Sequence, residues 1–252
     1  MRRSGLIFLG VAAVAASLHA DDFGRSIARK YATRAGDRLA ALQSIYAEGR
    51  TLINDEIVPF KMWAQRPNRL RFESITGSRR VIQVYDGQHE PWISHSEVAA
   101  GAPQAMSAGE KKDFVENADF DGPLVDFEAK GHTVDFAGES AVDGRRADKL
   151  LLMNTGGDVF FLWVDAGTHE VVKRSVIRTM NGQRVPVETF FGDFRNVGGV
   201  LQPHRIETRM GGTVLYLMII SKMVANPPDL PTDIFSPPAG WPLEKKPGDA
   251  KR

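Results

Sequence analysis

Two periods of hydrophobicity run along this chain. After Asp21 and Asp22, either of which can cap a helix, Phe23, Ile27, Tyr31, Leu39 and Leu42 return close to one helical face. Arg25, Arg29, Lys30, Arg34 and Arg38 sit largely on the other sides and read as a solvated face. From Ser44 the period drops to two. Segments 44–53, 56–65, 69–75, 79–86 and 88–94 alternate or run apolar, and Asn54-Asp55, Pro67-Asn68, Gly77-Ser78 and Asp86-Gly87 mark the reversals. Asp86-Gly87 is the sharpest of these, because glycine accepts the positive φ of a tight hairpin.

The strand rhythm then stops. Ala99 to Pro103 is a loop of small residues, and Ser107-Ala108-Gly109-Glu110 has the spacing of a capping box, predicting a helix to about Asn117. Phe120-Asp121-Gly122-Pro123 interrupts, and Leu124, Val125 and Phe127 predict a second short helix ending at Gly131. This insertion, residues 99–131, is expected to act as a cover. Strands resume at 133–139, 146–154, 159–165, 171–180, 184–196, 201–210 and 213–224 on short glycine-containing turns. Roughly twelve strands exceed what a flat sheet holds, so strong curling or an incomplete barrel is expected. The prolines from Pro227 to Pro242 predict an irregular C-terminal segment, and 245–252 a disordered tail.

Composition narrows the class. Arg2 and Arg3 precede an apolar run from Leu6 to Ala16, and Ser17-Leu18-His19-Ala20 offers a cleavage site, so 1–20 read as a signal peptide and 21–244 as one domain. The run is shorter than the roughly 20 apolar residues that span a bilayer. Cysteine is absent, so cleavage is expected without lipidation, and the compartment expected is the periplasm. The formal charge of +1 becomes −1 once Arg2 and Arg3 are removed (+1 − 2), which leaves no footprint for nucleic acid.

The sequence holds little that points to catalysis. It has no Gly-x-Ser-x-Gly elbow, P-loop, dinucleotide fingerprint or His-Glu-x-x-His, and no cofactor is expected. Of the six histidines, His89 and His95 with Glu90 and Glu97 come nearest to a metal set, but Pro91 interrupts them. Asp119-x-Asp121-Gly122 lacks the later acidic ligands of a calcium loop. The apolar inventory says more. Trp63, Phe72, Ile82, Val84 and Trp92 in the first half, and Phe161, Trp163, Val176, Phe190, Leu215 and Leu217 in the second, are spread over many strands. Val159–Val164 and Val214–Ile220 are apolar on both faces, which a sheet with one solvated face does not need. Either helices and curvature bury them as ordinary core, or some line an apolar cavity.

Three places carry a family resemblance. Trp63-Ala64-Gln65-Arg66-Pro67-Asn68 is similar to the Trp-x-x-Arg-Pro-Asn turn of the periplasmic outer-membrane lipoprotein carriers, the LolA-like family. Val84-Tyr85-Asp86-Gly87 with Trp92 resembles the hairpin and aromatic that follow it there, and Asp233 to Gly240 resembles the closing Phe-x-x-Pro-x-Gly signature. The stretches Gly131–Asp165 and Phe191–Pro203 resemble the wider group of lipoprotein-sorting proteins. The resemblance implies an α+β fold, a strongly curved antiparallel sheet forming a half β-barrel plugged by helices, with an apolar cavity for acyl chains. It makes Arg66 the candidate latch of the lid and the eleven apolar residues above candidates for the cavity. It implies a carrier of lipid or lipoprotein acyl chains between an inner-membrane donor and an outer-membrane acceptor, not an enzyme. The longer lid insertion leaves the cargo open. An envelope sensor signalling through a protein partner, and an enzyme on an apolar substrate, are the other readings the fold can host.

Overall fold

The computed structural model describes residues 10–96, 101–180 and 182–242; the expected tail at 245–252 and the basic Arg2-Arg3 start lie outside them. The elements are α1 (Gly10–Thr33), α2 (Asp37–Ala41), β1 (Ser44–Ile53), β2 (Glu56–Gln65), β3 (Arg69–Thr76), β4 (Arg79–Tyr85), β5 (Trp92–Ser96) and β6 (Gln104–Ala105). There follow α3 (Ala108–Ala118), β7 (Thr133–Val142), β8 (Arg145–Met153), β9 (Val159–Asp165), β10 (Val171–Met180), β11 (Gln183–Val197), β12 (Val200–Met210) and β13 (Thr213–Ala225). All thirteen strands form one antiparallel sheet in the order β6-β5-β4-β3-β2-β1-β13-β12-β11-β10-β9-β8-β7. No ladder joins β6 to β7 among the described residues, so the sheet is open and not a closed barrel.

That order dictates where the insertion goes. The chain winds outward from β1 to one edge at β6, then restarts at the opposite edge at β7 and winds back to β13 beside β1. The connection must therefore cross the width of the sheet, and α3 lies within it. The face it crosses, called here the inner face, also receives α1 and α2.

The inner face carries three packed regions. Ile27 and Ala28 of α1, with Leu124 and Phe127 of the insertion, fill the space over Val134, Leu150, Leu152, Phe160, Leu162 and Val176. Gly24 lets α1 lie against the edge strand β7, since a Cβ there would stand 2.6 Å from the Phe136 amide nitrogen. Covering that edge also removes a template for unwanted strand pairing. Leu39 and Leu42 pack on Ile45, Ala47, Phe60, Val200 and Ile220 at the centre. Phe114 and Ala118 of α3 pack on Leu70, Tyr85 and Ile93. On the outer face the C-terminal segment lays Leu230, Ile234, Phe235 and Trp241 over Trp63, Ile82, Val84 and Trp92.

Four expectations are corrected. The first helix is not capped at Asp21 or Asp22 but runs on from Gly10, and it breaks before Gly36, whose φ is +55°, so Leu39 and Leu42 belong to a separate turn of helix and its exit. Asp86-Gly87 is not a two-residue hairpin: the Asp86 carboxylate accepts the Gln88 and His89 amides, widening the loop so that the next strand begins at Trp92 instead of residue 88. The short helix expected after Pro123 is a run of turns, because Asp126 and Gly131 take positive φ and stop helical propagation. The strands number thirteen, the extra one being β6.

Candidate functional site

Between α3 and the sheet the inner face is left unfilled. A cavity of about 550 Å³ opens there, within the roughly 300–1,000 Å³ typical of small-molecule sites. Val58, Met62, Leu70 and Phe72 wall it on the first-half side, and Phe191, Ile206, Tyr216 and Met218 on the other. Phe114 and Asn117 of α3 close it from above, and Arg174 is the charged residue in its wall. The register explains this grouping. Val58 pairs with Thr51, Thr51 with Met218, Met218 with Ile206, and Ile206 with Phe191, so one row of side chains runs across five strands, and the Met62–Phe72 pair adds to it on the same face. Met62, Phe72, Ile206 and Met218 border the packed clusters around Leu39, Leu42 and Phe114 and are only partly buried by them, so one side of each is left to the cavity.

A second, more polar chamber of about 300 Å³ adjoins the first and shares Asn117, Arg174 and Phe191 with it. Its charged residues other than Arg174 are paired. Arg34 at the end of α1 donates to Glu170 at 2.8 Å with both side chains buried, and its guanidinium stacks 3.8 Å from the centre of Tyr31. Burial pushes Glu170 up despite that arginine, and raises Tyr31 as well. Lys130 holds Asp119 at 2.7 Å.

The lid helix is fixed on two sides by different forces. Ser107 and Glu110 form the expected capping box at its start. Its apolar side, Phe114 and Ala118, sits on β3 to β5, while its acidic side reaches β10, where Arg178 meets Asp113 at 2.5 Å and Glu116 at 2.9 Å. Lys112 also pairs with Asp158, and Arg174 donates to Asn117 Oδ1 at 3.3 Å. Burial raises the Glu116 carboxyl above its ordinary value against the pull of Arg178, and its Oε1 is buried without a protein partner.

Arg66 holds the other end of the insertion. Its Nε donates to the Leu42 carbonyl at 2.7 Å and one Nη to the Leu39 carbonyl at 2.6 Å, while the second Nη pairs with Asp121. Phe120 lies 5.0 Å beneath the guanidinium. The side chain thus joins the end of α2, the β2–β3 turn and the insertion. Burial raises the Asp121 carboxyl more than Arg66 and Lys130 lower it.

Of the residues singled out in the sequence as cavity candidates, Phe72 lines this cavity. Trp63, Ile82, Val84 and Trp92 lie on the outer face under the C-terminal segment. Phe161, Trp163 and Phe190 also point outward, where the Lys149, Lys173 and Arg209 side chains lie over their rings at 4.0 to 5.1 Å. Leu215 and Leu217 alternate with the cavity residues Tyr216 and Met218 and so face away. Val176 is on the inner face but inside the packing around α1. Of the cavity residues missed from sequence, chiefly Met62, Ile206, Met218 and Arg174, Met62 had a usable signal. Pairing about the Pro67-Asn68 turn places Met62 opposite Phe72 and Trp63 opposite Arg71, so Trp63 and Phe72 cannot share a face.

Glu97 lies outside the described residues, and the other groups considered as metal ligands have other partners. His89 Nδ1 meets Asp86 at 2.6 Å, and Asp119 and Asp121 hold Lys130 and Arg66. Among the described residues no cluster of three or more potential ligands gathers. None of the described helices is long and apolar enough to cross a membrane.

Residues 55–190, more than half of the chain, match the family of predicted periplasmic proteins DUF2092. The chain belongs to DUF2092. This DUF2092 protein matches no curated protein in sequence. Its fold is similar to that of a DUF1329 family protein from Desulfovibrio piger, at 13% identity and a TM-score of 0.60 over 86% of this chain and 97% of that one. A domain named for outer membrane lipoprotein sorting, from Vibrio parahaemolyticus, matches at 12% identity with the same TM-score and coverage. A LolA superfamily protein from Nitrosomonas europaea matches at 14% identity and 0.56 over 83% of this chain and 97% of that one. The open antiparallel sheet of the DUF2092 chain is therefore the LolA-like fold expected from its Arg-Pro-Asn turn and closing proline signature.

Proposed function

We propose that this protein is a soluble periplasmic carrier that shields lipid or lipoprotein acyl chains in its inner cavity and moves them towards the outer membrane. The observation that carries the reading is the unfilled apolar space under a helix fixed to the far side of the sheet by ion pairs. Each methylene moved from water into such a space gains about 0.8 kcal/mol, so a long chain is held strongly while the cavity stays closed. Release needs an opening that costs little, and a short helix held on one side by partly exposed ion pairs meets that need. In this reading Phe72 forms part of the wall, Arg66 latches the insertion, and the signal peptide is cleaved after Ala20 without lipidation. An inner-membrane donor and an outer-membrane acceptor supply and take the cargo.

The test is native mass spectrometry of the protein recovered from its own periplasm, followed by lipid extraction. A mature chain beginning at Asp21 with one co-purified acyl lipid is the expected result. Protein that is lipid-free as isolated and takes up none from vesicles overturns the carrier reading.

A further inference from the structure

Arg174 stands out among the arginines of the inner face. Arg34, Arg66 and Arg178 each hold a carboxylate. Arg174, on β10 at the junction of the apolar cavity and the polar chamber, has a single bond of 3.3 Å to the neutral amide of Asn117, and no carboxylate among the described residues is in ion-pair contact with it. The carboxylates nearest in effect, Glu116 and Asp113, are taken by Arg178. A guanidinium has five donors and stays protonated in proteins. The other donors of Arg174 have no protein acceptor among the described residues, it lines the same cavity as Met218, Ile206 and Phe191, and burial disfavours its charge. The neighbouring chamber is polar, whereas the space on the other side of Arg174 is apolar.

We propose that Arg174 seats the anionic head of the bound amphiphile, a carboxylate or a phosphate, while its acyl tail fills the apolar cavity. The inference rests on the carrier reading and narrows its cargo to acyl lipids with a negative head. A planar guanidinium takes two oxygens of such a head in parallel bonds, which adds direction to attraction. Asn117 sits beside it on the lid helix, so the head is bound against the element that must move for release.

The experiment measures binding of three probes sharing one tail: palmitate, monopalmitoyl glycerophosphate and 1-hexadecanol. It uses the exported chain and its Arg174→Gln and Arg174→Lys variants. The expected result is that the wild type binds at least one anionic probe about tenfold or more tighter than hexadecanol. Arg174→Gln should lose that preference and Arg174→Lys should recover part of it. Which anion binds tighter separates a fatty-acid source from a phospholipid source. Equal wild-type affinity for all three probes, or a preference that survives Arg174→Gln, overturns the head-group seat and leaves the carrier reading standing. Failure of the wild type to bind any probe removes both. Should the variants fold poorly, the arginine Nε resonances of the wild type give the same answer. One of them shifts on adding palmitate and not hexadecanol if Arg174 seats the head, and an unchanged spectrum overturns the proposal.

Discussion

The two ends of the inner face are built from the same alternation and end up in different states. Over β7 to β10, α1 and the insertion press Ile27, Ala28, Leu124 and Phe127 into the gaps between Leu150, Leu152, Phe160 and Leu162, and this end is core. Over β1 to β4 and β11 to β13, Met62, Leu70, Phe72, Ile206 and Met218 present a comparable apolar row. Leu39 and Leu42 fill the neighbouring centre, and α3 spans the row itself, touching one side with Phe114 and the other through charge. The strands at the two ends do not differ enough to explain the outcome. The helix that covers each end does: one inserts side chains, the other bridges. Whether an apolar sheet face becomes core or cavity is decided by what crosses it.

Removing a side chain at each end should expose that contrast most strongly. Leu150 is fully buried in the filled end, and Leu150→Ala should cost about 2–5 kcal/mol in urea unfolding. Met218→Ala already faces empty space and should cost well under that, while changing acyl-chain affinity. Equal losses at the two positions would show that the open end is packed in solution.

The docking of α1 offers the next largest effect. Gly24→Ala places a methyl against the β7 backbone, and overpacking of this kind costs roughly 1–3 kcal/mol. Amide exchange should quicken in 22–33 and at Val134 to Phe136. Exchange at Met62, Phe72 and Met218 should stay as it was, because α1 does not support that end.

The lid fastenings come third. Arg178→Ala and Arg66→Leu each remove a partly buried ion pair, and each should loosen residues 107–131 by about 1 kcal/mol in amide exchange, with the sheet unchanged. Faster release of a bound acyl probe should accompany this. Unchanged exchange in both variants would mean that apolar contacts of Phe114 alone hold the helix.

Much of this architecture was legible in the chain. Period-two stretches and glycine turns located nearly every strand, the Ser107–Glu110 spacing located the lid helix, and the Arg66-Pro67-Asn68 turn with the closing proline signature pointed to the fold. What could not be read locally depended on partners distant in sequence. The bulkiest residues, Trp63, Trp92 and Trp163, drew attention as cavity walls, yet each found a packing partner on the outer face, through Phe235 or the stems of Lys149 and Lys173. A cavity survives where such completion fails, so thinner side chains mark it. Arg174 was invisible for a related reason: nothing in Lys173-Arg174-Ser175 tells which of two adjacent cations turns inward. The register with Leu162 and Thr189 decides that.

The smallest expected effect concerns acidity, and it has opposite signs at two carboxylates. Burial alone would raise Glu73 on the outer face, but hydrogen bonds from Arg80 and Arg71 outweigh it and hold the carboxyl below its ordinary value of 4.5. A depressed folded pKa contributes stability above 4.5 that is lost as pH falls through the folded value. Glu116 on the lid is raised above 4.5, first by burial, so its closed state is favoured at low pH and loses ground as pH rises through the folded value. Opening the lid returns Glu116 to water and relieves that penalty. Global stability should therefore fall on acidification less steeply in Glu73→Gln than in the wild type. Amide exchange across 108–118 should speed up as pH rises above 4.5, after correction for intrinsic rates, and Glu116→Gln should remove that extra rise. If Glu116→Gln instead leaves the pH dependence of lid exchange intact, the helix is not gated through this carboxylate, and the bridge from α3 to β10 is held by Arg178 and Asp113.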